Sequence, residues 1–362
     1  MLTSKTPRIK VLVVDDSALV RKTITDTLAL DPEIEVVGVA NDPLIAMDKV
    51  ARLQPDVMTL DMEMPRMDGL TYLRQMQAER SSVAVVVISS LTQQGSSIAL
   101  EAMDAGASEV LSKPDGSTSI GALAAKLTFH VKAAHAAKQR FRQNPKAQAT
   151  NSAPTHPVKV NHPGIYATRG DRRLIVIGAS TGGVEALRSL LPALPDGLPP
   201  ILVVQHIPAF FSKAVAERLN SLTPYEVREA VDNEAILPGQ CLIAPGNQHL
   251  MVVADHGGYR TRLAQSPPVH HCRPAVDLLF RSAAQTAGSH TLAVLLTGMG
   301  SDGALGMQTI QQAGGVNLAE HEDSCIIYGM PRAAVQLGVV DKVAALDQMP
   351  KALLDALAEI PT

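Results

Sequence analysis

Short, unbroken runs of aliphatic and β-branched residues recur along this chain, each followed by a stretch with helical spacing. This pattern constrains the fold more than any other feature. IKVLVV precedes a helical stretch over 18 to about 30, EVVGVA one over 43–53, and DVMTLD, after a loop, one over 69 to about 77. SVAVVVISS leads to a stretch over 96–104, and SEVLSKP to a final helix from 119 onward. Strands that do not alternate are apolar on both sides, so both faces of their sheet must be covered. Five such strand and helix pairs predict a five-stranded parallel sheet, and right-handed crossovers make it doubly wound.

The last of these helices carries Lys126, Lys132, Lys138, Arg140 and Arg142 before its pattern fails in QNPKAQATNSAPTHPVKVNHPG. That polar stretch is read as a flexible linker over 141–168, dividing a first domain, 1–140, from a second, 169–362. Its basic entrance has no interleaved aromatics and is read as a solvated helix face. A second α/β pattern begins at RRLIVIGAS, with strong runs at 174–177, 201–204 and 292–296, and predicts a Rossmann-like domain with a parallel central sheet. The Pro- and Gly-rich region 237–265 reads as short strands and turns decorating that sheet.

Composition excludes several classes. Aromatics are 3% and Trp is absent, so two domains must be packed with Val, Leu, Ile, Ala and Met. A net charge of -3 argues against a general nucleic-acid binder. Cys241, Cys272 and Cys325 are odd in number and far apart, which argues against a disulfide framework and fits a reducing compartment. With no signal-peptide pattern and no run approaching a membrane span, a cytoplasmic protein without membrane insertion is expected.

The first domain places acidic residues at strand ends: Asp15 and Asp16 after IKVLVV, and Asp61 after VMTL. Carboxyl ends of neighbouring parallel strands converge on one crevice, where three carboxylates repel unless a hard cation such as Mg²⁺ neutralises them. Lys113, after a later strand, can pair with an acyl phosphate, Ser89 can donate to a phosphoryl oxygen, and Asp61 can be the nucleophile. Singly, each is also ordinary strand-exit chemistry. Together they resemble the receiver domains of two-component response regulators over 9 to about 127, including MPRMDGL after the acceptor strand. The resemblance implies that Asp61 is phosphorylated, Asp15 and Asp16 join it in binding metal, and Ser89 and Lys113 contact the phosphoryl group. It also implies an aromatic switch residue three positions before the lysine, but Val110 stands there, so signalling must use loop, backbone or interdomain contacts.

In the second domain, GASTGG sets Ser180 just beyond a strand, at a glycine-rich turn into a helix where N–H groups gather. The turn is not GxGxxG, and the next strand ends in His206 with no acidic residue, which disfavours a dinucleotide site. Asp302, in LLTGMGSDGA, follows a third strand end. His206 alone is read equally as a structural histidine. Ser180, His206 and Asp302 together can form a triad for acyl transfer, although no GxSxG elbow is present.

With GASTGG, QH, APG, TGMGSDGA and YGMP in order, nearly the whole chain resembles the chemotaxis protein-glutamate methylesterase/protein-glutamine glutaminase family. The resemblance implies Ser180, His206 and Asp302 as catalytic triad, Thr181 as active-site support and Met299 as an oxyanion-hole amide. It further implies hydrolysis of glutamyl methyl esters on the cytoplasmic helices of methyl-accepting chemotaxis receptors, with release of methanol, and deamidation of receptor glutamines. A chemotaxis histidine kinase is the implied phosphodonor, the receiver masks the hydrolase until phosphorylated, and the protein associates with chemoreceptor arrays. Mg²⁺ is implied for the receiver and no cofactor for ester hydrolysis. A receiver-regulated binding module and a small-ester hydrolase remain open readings at this point. PAFF at 208–211 and Met330 are expected to wall an open cleft or else pack in the core. His270, His271 and Cys272, on an expected strand, do not make a zinc set. His249, His256, His290 and His321 are read as surface or support residues, and Arg273 as a candidate for orienting an acidic loop or a substrate carboxylate.

Overall fold

A computed structural model describes residues 7–89, 93–113, 120–143, 167, 170–209 and 211–362. The chain separates into two compact units, Met1–Gln143 and Asn144–Thr362.

In the first unit, strands β1 (Ile9–Val14), β2 (Ile34–Ala40), β3 (Val57–Asp61), β4 (Ala84–Ser89) and β5 (Glu109–Ser112) alternate with helices Ala18–Leu28, Pro43–Leu53, Gly69–Ala78, Gln93–Asp104 and Ile120–Gln143. The sheet is parallel throughout, in the order β2-β1-β3-β4-β5. Every residue of β3 and β4 is buried, as their unalternating sequences require. Helix starts are written locally. Ser17, Asp42 and Asp68 each accept an N–H of the first turn, from Val20, Ile45 and Thr71, and Pro43 follows its cap at the first helical position. The last helix runs through Gln143, three residues into the stretch read as linker. The remainder of that linker falls outside the described residues, apart from Ala167.

The second unit is built on a seven-stranded parallel sheet in the order β15-β14-β13-β6-β7-β10-β8. Its strands are β6 (Leu174–Ala179), β7 (Ile201–Gln205), β8 (Glu226–Glu229), β10 (Gln240–Ile243), β13 (Thr291–Leu295), β14 (Val316–Glu320) and β15 (Lys342–Ala344). Three more, β9 (Ala235–Ile236), β11 (His249–Asp255) and β12 (Gly258–Ala264), form a separate antiparallel sheet. The region 237–265 therefore does not merely decorate. β10 is inserted into the main sheet between β7 and β8, because Cys241, Leu242 and Ile243 have no exposed surface and need cover on both faces. Leu250, Val252 and Tyr259 of the small sheet join the main core with Leu279 and Phe280 of helix Val276–Ala287.

From β6 the chain winds outward through β7 and returns to β13, β6's other neighbour, before winding the opposite way. The crevice beyond the carboxyl ends of β6 and β13 is thus a topological switch point, where open α/β sheets bind ligands.

Candidate functional sites

In the first unit, Asp15 and Asp61 follow or end adjacent strands in register, Val14 opposite Leu60, and each is 1% exposed. Asp16 is exposed, yet one oxygen from each of the three carboxylates falls within 4.8 Å of the others. Lys113 Nζ donates to Asp61 Oδ2 at 2.7 Å and lies 3.7 Å from Asp15 Oδ2. Its backbone N–H is held by Ser89 O at 2.8 Å, so the sheet register itself brings lysine and serine to the pocket. Burial raises the carboxyls of both Asp15 and Asp61, opposed by N–H donors from Ser17 and Glu63 and by Lys113. Asp15 Oδ2 and Ser89 Oγ are buried without a hydrogen-bond partner. Two unpaired hard oxygen groups beside an acidic cluster fit a site that takes a divalent cation and a phosphoryl group.

The second site assembles at the switch point. Ser180 follows β6, and its backbone is pinned from three sides. Its N–H donates to Thr297 O at 3.0 Å, and its carbonyl accepts Gly183 N–H at 2.7 Å and Gln205 Nε2 at 2.8 Å. Two glycines permit this. Gly182 has φ of 78° where the turn enters helix Gly183–Leu190, and a Cβ on Gly298 would come within 2.7 Å of Ser180 Cβ. Ser180 is 3% exposed, and among the described residues its hydroxyl has no hydrogen-bond partner.

His206 occupies the equivalent place one strand over: Gln205 pairs with Ala179, and His206 N–H donates to Ala179 O at 3.0 Å. Its Nε2 lies 2.8 Å from Asp302 Oδ2. Asp302, 2% exposed, accepts two further hydrogen bonds, Val276 N–H to Oδ2 at 2.8 Å and Asp277 N–H to Oδ1 at 2.9 Å. These are the first two N–H groups of helix Val276–Ala287, which has no side-chain cap of its own. Burial pushes the Asp302 carboxyl up, but the His206 bond and these donors prevail and hold it below the usual carboxylate range. An ionised carboxylate only accepts, so the proton between the two belongs to Nε2, leaving Nδ1 as the basic nitrogen. Near Nδ1, at 3.5 Å, is the sulfur of Cys272.

Of the support residues, Thr181 is 3% exposed with its hydroxyl unpaired, and Thr181 and Met299 offer backbone N–H groups that meet no acceptor among the described residues. Those amides belong to the residue after the candidate nucleophile and to the loop after β13, which makes them the candidate oxyanion donors.

The other singled-out side chains fall partly as expected and partly elsewhere. HHC is not on a strand. Val269 and Cys272 exchange backbone hydrogen bonds at 3.0 and 2.8 Å, and His270 and His271 between them have φ of 50° and 63°, so the segment is a tight turn of the hairpin type with positive φ at both centres. His270 Nε2 bonds Asp277 Oδ2 at 3.0 Å, and Arg273 spends its guanidinium on Asn247 Oδ1, Gln265 O and Ser266 O. His249 is a support residue, fully buried between Ala275 N–H and Pro267 O. Met330 and Phe211 are core residues, at 0% and 4% exposure, and Phe210 lies outside the described residues. His270, Asp277 and Asp302 come close enough to suggest a metal set, but the carboxylate oxygens are filled by N–H donors, His206 and His270, with Arg281 3.5 Å from Asp277. Those partners already occupy the oxygens a metal ion would need.

Residues missed at the sequence level are Gln205, Asp277 and Glu320. Glu320 is fully buried at the end of β14, where Oε2 accepts Thr297 N–H at 2.8 Å and Oε1 accepts Ser324 Oγ at 2.9 Å, fixing the loop that carries Met299. An acidic residue closing an apolar strand was the available signal, the same one that marks Asp61.

A serine, an imidazole and a buried carboxylate on three neighbouring strand ends define a serine-hydrolase type of α/β domain, here in one chain with a phosphoacceptor-type domain. Residues 175–353 match the family model for CheB methylesterase, and residues 11–124 match that for the response regulator receiver domain. The chain is 46% identical over 349 residues to the protein-glutamate methylesterase/protein-glutamine glutaminase 2 of Syntrophus aciditrophicus, spanning 94% of this chain and 97% of that one. To protein-glutamate methylesterase/protein-glutamine glutaminase 1 of Xanthomonas campestris pv. campestris it is 45% identical over 362 residues, 99% of each chain. The crystal structure of the Thermotoga maritima CheB methylesterase catalytic domain superposes with a TM-score of 0.50 at 40% identity, covering 51% of this chain and 97% of that one. The chain belongs to the CheB methylesterase family, with a response regulator receiver domain at its front.

Proposed function

We propose that this chain hydrolyses glutamyl methyl esters on the helices of methyl-accepting chemotaxis receptors and deamidates receptor glutamines, through Ser180, His206 and Asp302, and that phosphorylation of Asp61 raises its turnover. The observation that carries the reading is the 2.8 Å contact of His206 Nε2 with the buried Asp302 Oδ2, which commits Nε2–H to the carboxylate and leaves Nδ1 as the base. Nδ1 takes the Ser180 proton as Oγ attacks the ester carbonyl, and the proton then passes to the departing methoxide, which leaves as methanol. Water, deprotonated by the same nitrogen, opens the acyl-enzyme to give glutamate. On a glutamine side chain the leaving group is ammonia. The N–H groups of Thr181 and Met299 stabilise the oxyanion, each worth about 3 kcal/mol in the transition state, a hundredfold in rate.

In the receiver, Asp61 attacks the phosphoryl group supplied by a chemotaxis histidine kinase, Lys113 and Ser89 bind its oxygens, and Asp15, Asp16 and Asp61 would hold Mg²⁺. When bound, that ion neutralises the charge the incoming phosphate adds to a buried acidic pocket. No helix among the described residues is long and apolar enough to cross a membrane, and a receptor's cytoplasmic helices are reached by protein contacts in the array.

The test is methanol release from methylated receptor helices by wild type and Ser180→Ala, each with and without a small-molecule phosphodonor. Release that rises with phosphodonor and vanishes in the variant is expected. No release from any methylated receptor would replace the reading with a binding role or another acyl substrate, and release indifferent to phosphodonor would remove the regulation.

A further inference from the structure

Cys272 is singled out by what it touches. The turn at His270 and His271 swings its sulfur to 3.5 Å from His206 Nδ1, the nitrogen that must serve Ser180, while His206 Nε2 is bonded to the buried Asp302. Sulfur, imidazole and carboxylate form a continuous chain, the arrangement by which a histidine takes the proton of a thiol. The other two cysteines, Cys241 and Cys325, are fully buried, whereas Cys272 is partly exposed, so a small reagent can reach it.

We propose that Cys272 is a modification site for small oxidants and electrophiles, coupled to the hydrolytic centre because its sulfur shares His206 with Ser180. The inference rests on the triad reading above. Two arrangements of the pair carry the same net charge: thiol with neutral imidazole, and thiolate with imidazolium. In the first His206 is free to act on Ser180; in the second it is engaged with sulfur, and the sulfur is nucleophilic. Hydrogen peroxide entering the site is attacked at one oxygen by the thiolate. The S–O bond forms, the O–O bond breaks, and the departing hydroxide takes the proton held on Nδ1 and leaves as water. Sulfur is oxidised by two electrons to a sulfenic acid and the peroxide is reduced by two. The product occupies the space at Nδ1 with a bulkier acid that hydrogen-bonds the imidazole, so Ser180 loses its base until a thiol reductant restores the cysteine. An alkylating agent has the same outcome irreversibly, sulfur displacing iodide from iodoacetamide.

The experiment treats full-length wild type and Cys272→Ala with hydrogen peroxide or iodoacetamide. Methanol release is followed against each protein's own untreated sample, and the modified residue is located by mass spectrometry. Wild type should lose at least about tenfold of its activity in step with modification of Cys272 and regain it with dithiothreitol after peroxide, while Cys272→Ala should lose less than twofold. A His206→Gln protein, read by mass alone, should alkylate at Cys272 about tenfold more slowly than wild type. Equal loss of activity in Cys272→Ala, loss in wild type with Cys272 unmodified, or an unchanged alkylation rate in His206→Gln would each overturn the proposal. Should no methanol be released by any protein, the triad reading fails on its own, and the alkylation rates still decide whether His206 activates the sulfur.

Discussion

Asp277 and Asp302 cap each other's helices. Asp302 accepts the N–H groups of Val276 and Asp277 at the start of helix Val276–Ala287, and Asp277 Oδ1 accepts those of Gly303 and Gly306, at 3.0 and 2.7 Å, at the start of helix Ala304–Gln312. Neither helix has a side-chain cap from its own N-cap residue, since Ala275 and Gly303 offer none. The exchange ties the carboxylate that orients His206 to the packing of two helices. Asp277→Ala leaves two buried N–H groups without an acceptor, and His270 and Arg281 without their anion. It should cost about 3 kcal/mol of stability. Turnover should fall with it because the loop holding Asp302 loosens. Urea unfolding and methanol release on the same protein check both, and unchanged stability would mean that water serves those N–H groups equally well.

Ser180→Ala separates chemistry from fold. The hydroxyl has no hydrogen-bond partner among the described residues, so its removal strands no other group, and the unfolding midpoint should move by no more than about 0.5 kcal/mol. Turnover should fall by at least about a thousandfold while receptor binding persists. Retained turnover would show that another group attacks the ester.

Asp302→Asn keeps the shape of the site but replaces one acceptor oxygen with a donor. If the amide oxygen stays at the Oδ1 position with Asp277 N–H, the NH₂ takes the Oδ2 position, where it opposes Val276 N–H and faces His206, favouring the tautomer with the proton on Nδ1, where it is useless as a base toward Ser180. A loss of about ten-thousandfold in kcat with a nearly native circular dichroism spectrum is expected. A comparable loss from Asp302→Ala with a much lower unfolding midpoint would add the penalty of two uncapped N–H groups.

How far this architecture can be read from sequence depends on whether the deciding interaction is local. Unalternating runs such as Val57–Asp61 and Leu174–Ala179 announce burial on both faces, so parallel sheets and the residues at their carboxyl ends were legible, including the candidate set Asp15, Asp61, Lys113, Ser180, His206 and Asp302. Gln240–Ile243 was underrated because four residues in a Pro- and Gly-rich region carry the same local signal in a core strand as in a decoration. His270 and His271 hid a turn, since positive φ at both positions is imposed by the Val269 and Cys272 bridge rather than by the glycine or asparagine that normally marks it. Asp277 and Glu320 were invisible as partners because the hydrogen bonds that tie them to the loop after β13 reach 23 to 29 residues away along the chain.

Asp61→Asn removes the carboxylate proposed to attack the phosphoryl group while keeping an oxygen for Glu63 N–H. The protein should take up no phosphate from a small-molecule donor, and its methanol release should stay at the unphosphorylated level. Removing divalent metal from wild type with a chelator should abolish phosphate uptake without changing that basal release, because the second unit's chemistry uses no metal in the proposed mechanism. Phosphate still bound covalently to Asp61→Asn would move the acceptor to another residue.

The pH dependence has opposite signs for activity and stability at His206. Burial alone lowers the imidazole, but its interactions with the Cys272 sulfur beside Nδ1 and with Asp302 at Nε2 outweigh it, so the folded group titrates above its ordinary value near 6.5. A raised value contributes stability that is fully present below about pH 6.5 and disappears as pH rises through the folded value. Asp302, held low, contributes stability present above about pH 3.9 and lost as pH falls through its own lower folded value. Ester hydrolysis needs the neutral imidazole, so kcat/KM should climb with pH along a limb lying above 6.5. Cys272→Ala removes the sulfur beside Nδ1 that helps hold the imidazole up, and should slide that limb toward lower pH, raising the fraction of active enzyme at neutrality. Profiles of kcat/KM for the two proteins at matched ionic strength decide it. A limb that stays in place would mean that Asp302 alone holds the imidazole up and that the sulfur takes no part in its proton balance.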